Sequence, residues 1–107
     1  MTTITSKTKS HLKSLAHHLK PLTYVGKTGV TERLIVQISQ TLLDHELVRV
    51  KFNDFKDKRK ELCIEIETNT ESSFIGLTGN TAIFYKPHPL PEKRKIVLPE
   101  HLASVQL

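Results

Sequence analysis

The sequence predicts a single α/β domain organised around a strand–helix–strand unit, and three observations carry that expectation. The chain has 107 residues, room for one hydrophobic core and not for two. A short β-prone segment, Leu22 to Val25, precedes a stretch of helical apolar period and then the alternating run LVRVKF at 47–52. That is a βαβ pattern, whose strands should run parallel through a right-handed crossover. Farther on, SFIGLTGNTAIFYKP holds two more β-prone runs split by Gly79-Asn80, the signature of a hairpin.

The elements follow in order. From Ser6 to about Leu19, Leu12, Leu15, Ala16 and Leu19 recur at helical spacing and define one apolar stripe. Lys7, Lys9, Lys13 and His17 fall largely off it, toward solvent. Thr5 or Ser6 can supply the capping oxygen, and Pro21 marks the exit. After the first strand come Gly26 and Gly29. Thr31 then stands where a second helix needs its cap, and Leu34, Ile35, Ile38, Leu42 and Leu43 keep helical period to about His45. In the next strand Val48, Val50 and Phe52 point one way and Arg49 and Lys51 the other.

Residues 54–69 fit two patterns. Phe55, Arg59, Leu62 and Ile66 lie on one helix face, whereas Leu62, Ile64 and Ile66 also alternate with Glu65 and Glu67 as in a strand. The abundance of Lys and Glu, with no Gly or Pro, leans toward a helix from about Asp54 to Asn69. The hairpin strands are expected at 73–78 and 81–86. PHPLP at 87–91 cannot continue a central strand. Ile96 to Leu98 should dock on the sheet, which makes 1–99 the domain and 100–107 a loose tail.

Composition narrows the function. Sixteen Lys and Arg stand against 11 Asp and Glu, a formal charge of +5, as a surface for a polyanion requires. The charge is also segregated. Residues 1–31 carry Lys7, Lys9, Lys13, Lys20 and Lys27 and no acid, while 61–71 carry Glu61, Glu65, Glu67 and Glu71 and no base. Cys63 is the only cysteine, which excludes an internal disulfide and favours a reducing, cytoplasmic setting. With no basic neighbour placed to ionise it, it reads as a buried thiol and not a nucleophile. The N-terminal segment lacks the apolar run of a signal peptide, and no stretch is long enough to span a bilayer. His11, His17 and His18 do not complete a metal site, because adjacent helical residues diverge by ~100°; neither metal nor cofactor is expected. Tyr24 and Tyr85 read as packing residues of strands, with stacking on bases as the alternative.

The sharpest motif is TYVGKTGVTERL at 23–34. Gly26-Lys27-Thr28 matches the end of a P-loop, but that motif needs an earlier glycine where Pro21 stands, and a longer loop to wrap a phosphate. A nucleotide-handling enzyme is therefore disfavoured. Two readings remain. One is a tight βα turn with a residue at positive φ. The other is a GxxG loop of the kind that clamps a nucleic-acid backbone, in which Gly26 and Gly29 admit the ligand closely. Helix amides and the Lys27 ammonium would then meet a phosphodiester. Arg33 in the following helical turn, the basic first helix, and Lys93, Arg94 and Lys95 in the tail favour the second reading if they share a face.

Several motifs in order are similar to those of one family. HLKSLAHHLKPLTYVGKTGVTERL, DHELVRVK, TGNTAIFYKP and RKIVLP together resemble the CRM-domain proteins, the YhbY-type bacterial RNA-binding proteins associated with large ribosomal subunit assembly. The resemblance covers roughly residues 5–99. It implies the order α-β-α-β-α-β-β, with a four-stranded mixed sheet and three helices, similar to the C-terminal domain of translation initiation factor three. It also implies a helix at 54–69 and an RNA-binding surface at Gly26, Lys27, Thr28 and Gly29. The expectation is a non-enzymatic, monomeric RNA-binding domain whose partner is ribosomal RNA or a large-subunit precursor. Arg33, Lys7, Lys9, Lys13, Lys20, Lys93, Arg94 and Lys95 would extend the contact. The alternatives are a protein-interaction adaptor using the acidic segment 61–71, or a small phosphate-handling enzyme.

Overall fold

Helix α1, Ser6–Ala16, starts where Thr5 Oγ1 accepts the Thr8 amide at 3.2 Å. The structure is a computed structural model, and it describes residues 5–21, 23–94 and 96. The helix stops short of the expected Leu19, because the His18 and Leu19 amides bond back to the carbonyls of Leu15 and Ala16, a tightening that ends the α-helical ladder. Its buried stripe is Thr8, Leu12 and Ala16; Leu15 and Leu19 are both partly open to solvent.

Strand β1, Thr23–Val25, and strand β2, Leu47–Phe52, pair in parallel, with Tyr24 opposite Lys51. Between them runs helix α2, Glu32–His45, whose Thr31 Oγ1 accepts the Leu34 amide at 3.1 Å. Residues 54–69 resolve as helix, later than expected: a 3-10 turn at Lys56–Lys58 leads into α3, Arg59–Thr70. The delay has a local cause. Phe55 is left-handed, at φ 55°, and its amide donates to Asp54 Oδ1, so the path at 54–55 is a turn. Ile64, which a strand would have buried, is 60% exposed. Strands β3, Ser73–Thr78, and β4, Thr81–Tyr85, form the expected hairpin.

The sheet order is β1-β2-β4-β3, parallel at β1–β2 and antiparallel elsewhere. Alternation along β2 sorts the two faces. Val48, Val50 and Phe52, with Val25, Ala82 and Phe84, pack against Leu34, Ile38 and Leu42 of α2 and Cys63 and Ile66 of α3. Burying a ring such as Phe52 or Phe84 contributes about 1.5–3 kcal/mol. The other face, formed by Leu47, Ile75, Ile83 and Tyr85, meets Leu12 and Ala16 of α1. All five residues of β4 are therefore buried. A bulge between Phe74 and Gly76 turns Gly76 toward α1, where a Cβ would collide with the Lys13 side chain lying across β3. Because α1 packs over β2, β4 and β3, the same face of β1 stays open.

Beyond β4 the chain is held by Glu46, a left-handed residue (φ 65°) that is 1% exposed at the end of α2. Its carbonyl accepts the Lys86 amide at 2.8 Å, its Oε2 the His88 amide at 2.9 Å and its Oε1 the Ile96 amide at 2.8 Å. Ile96 packs on the α1 face as expected. Leu22, Val97, Leu98 and the expected tail at 100–107 lie outside the described residues.

Candidate nucleic-acid interface

Residues 26–29 form a β-turn in which the Gly29 amide donates to the Gly26 carbonyl at 3.0 Å, leaving Lys27 and Thr28 exposed at its corner. Gly29 has φ 71°, and a Cβ there would sit 3.5 Å from the Phe55 ring; the turn itself requires this glycine. Gly26 is different. Its φ is ordinary and a Cβ would find nothing within 4 Å, so packing and backbone geometry do not call for a glycine. What Gly26 supplies is bare, accessible main chain.

The turn sits at the end of the sheet where β1 and β2 finish. The Val25 carbonyl accepts the amides of Asn53 and Asp54 at 2.9 and 3.2 Å, and Phe52 N–H donates to Asn80 O at 2.7 Å. Arg59 Nη1 reaches the Asn80 side-chain oxygen at 2.8 Å. Loops 26–31, 53–58 and 79–80 are thereby drawn together, and with them exposed Lys51, Lys56, Lys58 and Lys60. Sequence reasoning does not single out these four. For Lys56, Lys58 and Lys60 the signal is the run DFKDKRK at 54–60, and for Lys51 its outward position in LVRVKF at 47–52. An open depression of about 600 Å³ beside the hairpin is lined by Lys56, Lys58, Arg59 and Lys60 together with Asp57 and Glu61, so cations outnumber carboxylates there by four to two.

The helix N-terminus contributes less than its dipole suggests. The Leu34 amide is occupied by Thr31, and Glu32 puts a carboxylate in the first turn, opposing an anion there. The positive charge around the turn therefore comes from Lys27, the exposed Arg33 and the lysines of the neighbouring loops.

A second basic feature leads away from the turn along the open face of β1 and the neighbouring positions of β2 that α1 leaves uncovered. Tyr24, Arg49 and Lys51 share this face, opposite the buried Val25, Val48 and Val50. Arg49 Nη1 donates to Leu19 O at 2.7 Å, and Lys20 borders the same cleft as Arg49. Lys20 is thus linked to the turn by a strip of cations. The two tyrosines separate sharply. Tyr85 is buried, and burial, reinforced by the Glu46 carboxylate and opposed by Arg94, pushes its phenol up to about 12. Tyr24 is 50% exposed.

The remaining candidates lie elsewhere. Lys13 crosses β3, three strand spacings or about 14 Å from β1, and Lys7 and Lys9 precede it on α1. Lys93 lines a depression with Asp44 and His45 at the far end of α2, about 20 Å from the turn by helical rise. Arg94 Nε donates to His88 O at 2.9 Å. Lys95 lies outside the described residues. Of the acidic segment, Glu67 is engaged within the fold, its Oε2 accepting the Phe74 amide at 2.6 Å. Cys63 is fully buried. Burial pushes its thiol up to about 11, with Arg59 opposing and Glu67 adding to the shift, so it is un-ionised at neutral pH. Among the described residues, no group of three or more His, Cys, Asp or Glu side chains could hold a metal, and no helix is long and apolar enough to cross a membrane.

Comparison with known proteins bears on the fold and the family. The CRS1/YhbY (CRM) domain pattern matches residues 4–86. A Haemophilus influenzae protein named as an RNA-binding protein is 37% identical, over 92% of this chain and 98% of its own. A Bacillus subtilis protein whose name calls it a probable RNA-binding protein is 33% identical, over 90% of this chain and 99% of its own. The solution structure of a Staphylococcus aureus protein, 32% identical, superposes with a TM-score of 0.73, covering 89% of this chain and 100% of that one. With most of its length matched in both sequence and fold, the chain belongs to the CRS1/YhbY (CRM) domain family.

Proposed function

We propose that this protein binds RNA without catalysing a reaction, acting as a cytoplasmic monomer on ribosomal RNA or a large-subunit precursor during ribosome assembly. The names of its relatives support RNA as the partner. The observation that carries the location is Gly26, a glycine that neither backbone conformation nor packing requires, at the mouth of a turn that exposes Lys27 and Thr28. Phosphate approaches the bare main chain of Gly26 and Gly29. Lys27, Arg33, Lys51, Lys56 and Lys58 neutralise it, and Lys20 continues the contact along the β1 side. Lys7, Lys9, Lys13, Lys93 and Arg94 meet only a long or folded RNA that passes around the domain, and Lys95 adds its charge to the same basic segment of the sequence.

The test uses Gly26→Asp. Gly29→Asp would strain a residue held at φ 71°, confounding binding with folding, whereas position 26 has an ordinary φ and open space for a Cβ. The variant is expected to keep the parent's melting temperature and to bind ribosomal RNA fragments at least tenfold more weakly; equal binding overturns the assignment. If about five phosphates are neutralised, log K against log salt falls with a slope of roughly −3 to −4 on single strands. A flat salt series removes the electrostatic mechanism.

A further inference from the structure

Tyr24 is the one described tyrosine facing solvent, and neither core cluster includes it. It sits on the open face of the edge strand, on the side that α1 leaves bare over β1. Its hydroxyl donates to the Pro21 carbonyl at 3.1 Å, so the ring is held in one orientation instead of sweeping through solvent. Lys51 lies directly across the parallel ladder from it, and Arg49 follows on the same face of β2. Two residues farther along the chain is Gly26, about 6.6 Å away at strand rise.

From this geometry we infer that Tyr24 is a stacking platform for an unpaired nucleobase of RNA, whose own or adjacent phosphate lies over the Gly26–Gly29 turn. The inference rests on the RNA-binding reading above and adds the class of RNA, a single strand or loop. An aromatic face flanked by cations and set one short step from a phosphate-sized opening matches the alternation of base and phosphate along an extended strand. A duplex cannot use it. Its bases are stacked on one another, and an A-form helix offers the protein its backbone and groove edges, not a free base face. The ring recognises the π-face common to every base, so it selects for unpaired nucleotides without reading their sequence.

The chain has two tyrosines and no tryptophan, which makes the event directly observable. Tyrosine ring resonances would be followed by NMR during titration with oligouridylate, oligoadenylate and a blunt RNA duplex of equal length, and affinities would be measured for Tyr24→Phe and Tyr24→Leu. The Tyr24 ring signals should move upfield with either single strand while those of Tyr85 stay. Tyr24→Phe keeps the ring and loses only the hydroxyl's bond to Pro21, so it should weaken binding less than Tyr24→Leu does. Tyr24→Leu should lose roughly tenfold on single strands and nothing on the duplex. If amides of residues 26–29 respond while the Tyr24 ring does not, or if Tyr24→Leu weakens duplex and single strand equally, stacking is wrong and the turn still binds phosphate. If no RNA perturbs the turn or binds in a salt-dependent way, the RNA-binding reading falls and the stacking platform falls with it.

Discussion

Glu46 shows how much one residue can hold. Its carboxylate accepts two main-chain amides, His88 and Ile96, from a segment with no strand of its own. Removing it leaves two part-buried amides without their carboxylate partner, and an unmet buried donor typically costs about 1–3 kcal/mol, less where water can reach it. Glu46→Ala is expected to lower stability by about 1–3 kcal/mol in urea titration and to speed exchange of the His88 and Ile96 amides while leaving α2 protected. Glu46→Gly separates the two properties of the site: it relieves the φ of 65° yet still loses the carboxylate, so it should stabilise only slightly relative to Ala. In the sequence this glutamate stands in DHEL at a helix end, where a solvated acid is the ordinary expectation. Its burial is invisible there because the groups that need it lie more than forty residues away. Phe55 is similar, since only the fold reveals that its ring lies beneath Gly29.

Among the elements, α2 is the one whose placement controls the candidate site. It is the crossover between the parallel strands, and its first turn adjoins the Gly26–Gly29 turn. Thr31 Oγ1 caps it. Thr31→Ala should cost about 1 kcal/mol, read as a lower melting temperature, while Thr31→Ser should retain most of the stability. This cap, the apolar period of the helix and the alternation in LVRVKF were all legible, because they depend on neighbours within a few residues. The boundaries of α1 and α3 were less so. Leu15 and Leu19 carry the helical period, yet the helix tightens after Ala16. Asp54 has helical company in composition, yet its carboxylate takes the Phe55 amide and delays α3 to Arg59.

For the whole molecule, the two-sided sheet accounts for the alkaline limit of stability. Cys63, on the face of α3 that packs on the sheet, and Tyr85, on the α1 face, are each held protonated by burial, with pKa values raised from 9.0 to about 11 and from 10.0 to about 12. In the unfolded chain both release their protons at lower pH. The folded state therefore binds more protons above pH 9, and stability falls as pH rises from there toward 12. Urea midpoints are expected to be flat with respect to these two groups below pH 9 and to decline above it. Cys63→Ala should remove the part of that decline between about pH 9 and 11. At neutral pH the native thiol should resist iodoacetamide and react once the chain is unfolded.

The chain's local patterns were enough to establish an α/β domain, the parallel βαβ unit, the terminal hairpin and a glycine turn facing a capped helix, since period, capping and turn chemistry act over a handful of residues. They also marked Gly26, Lys27, Thr28, Gly29 and Arg33 as neighbours, because these are consecutive or one helical turn apart. Which other cations join them depends on strand order. Placing β2 beside β1 and closing the 53–58 loop over the Val25 carbonyl brings Lys51 and Lys56 toward the turn. The 14-residue length of α2 holds Lys93 at its opposite end. Burial divided the tyrosines in the same way, enclosing Tyr85 in the central strand and leaving Tyr24 on the uncovered edge. Charge is written residue by residue, but a binding surface is a distance between residues, and those distances arise only when the sheet closes.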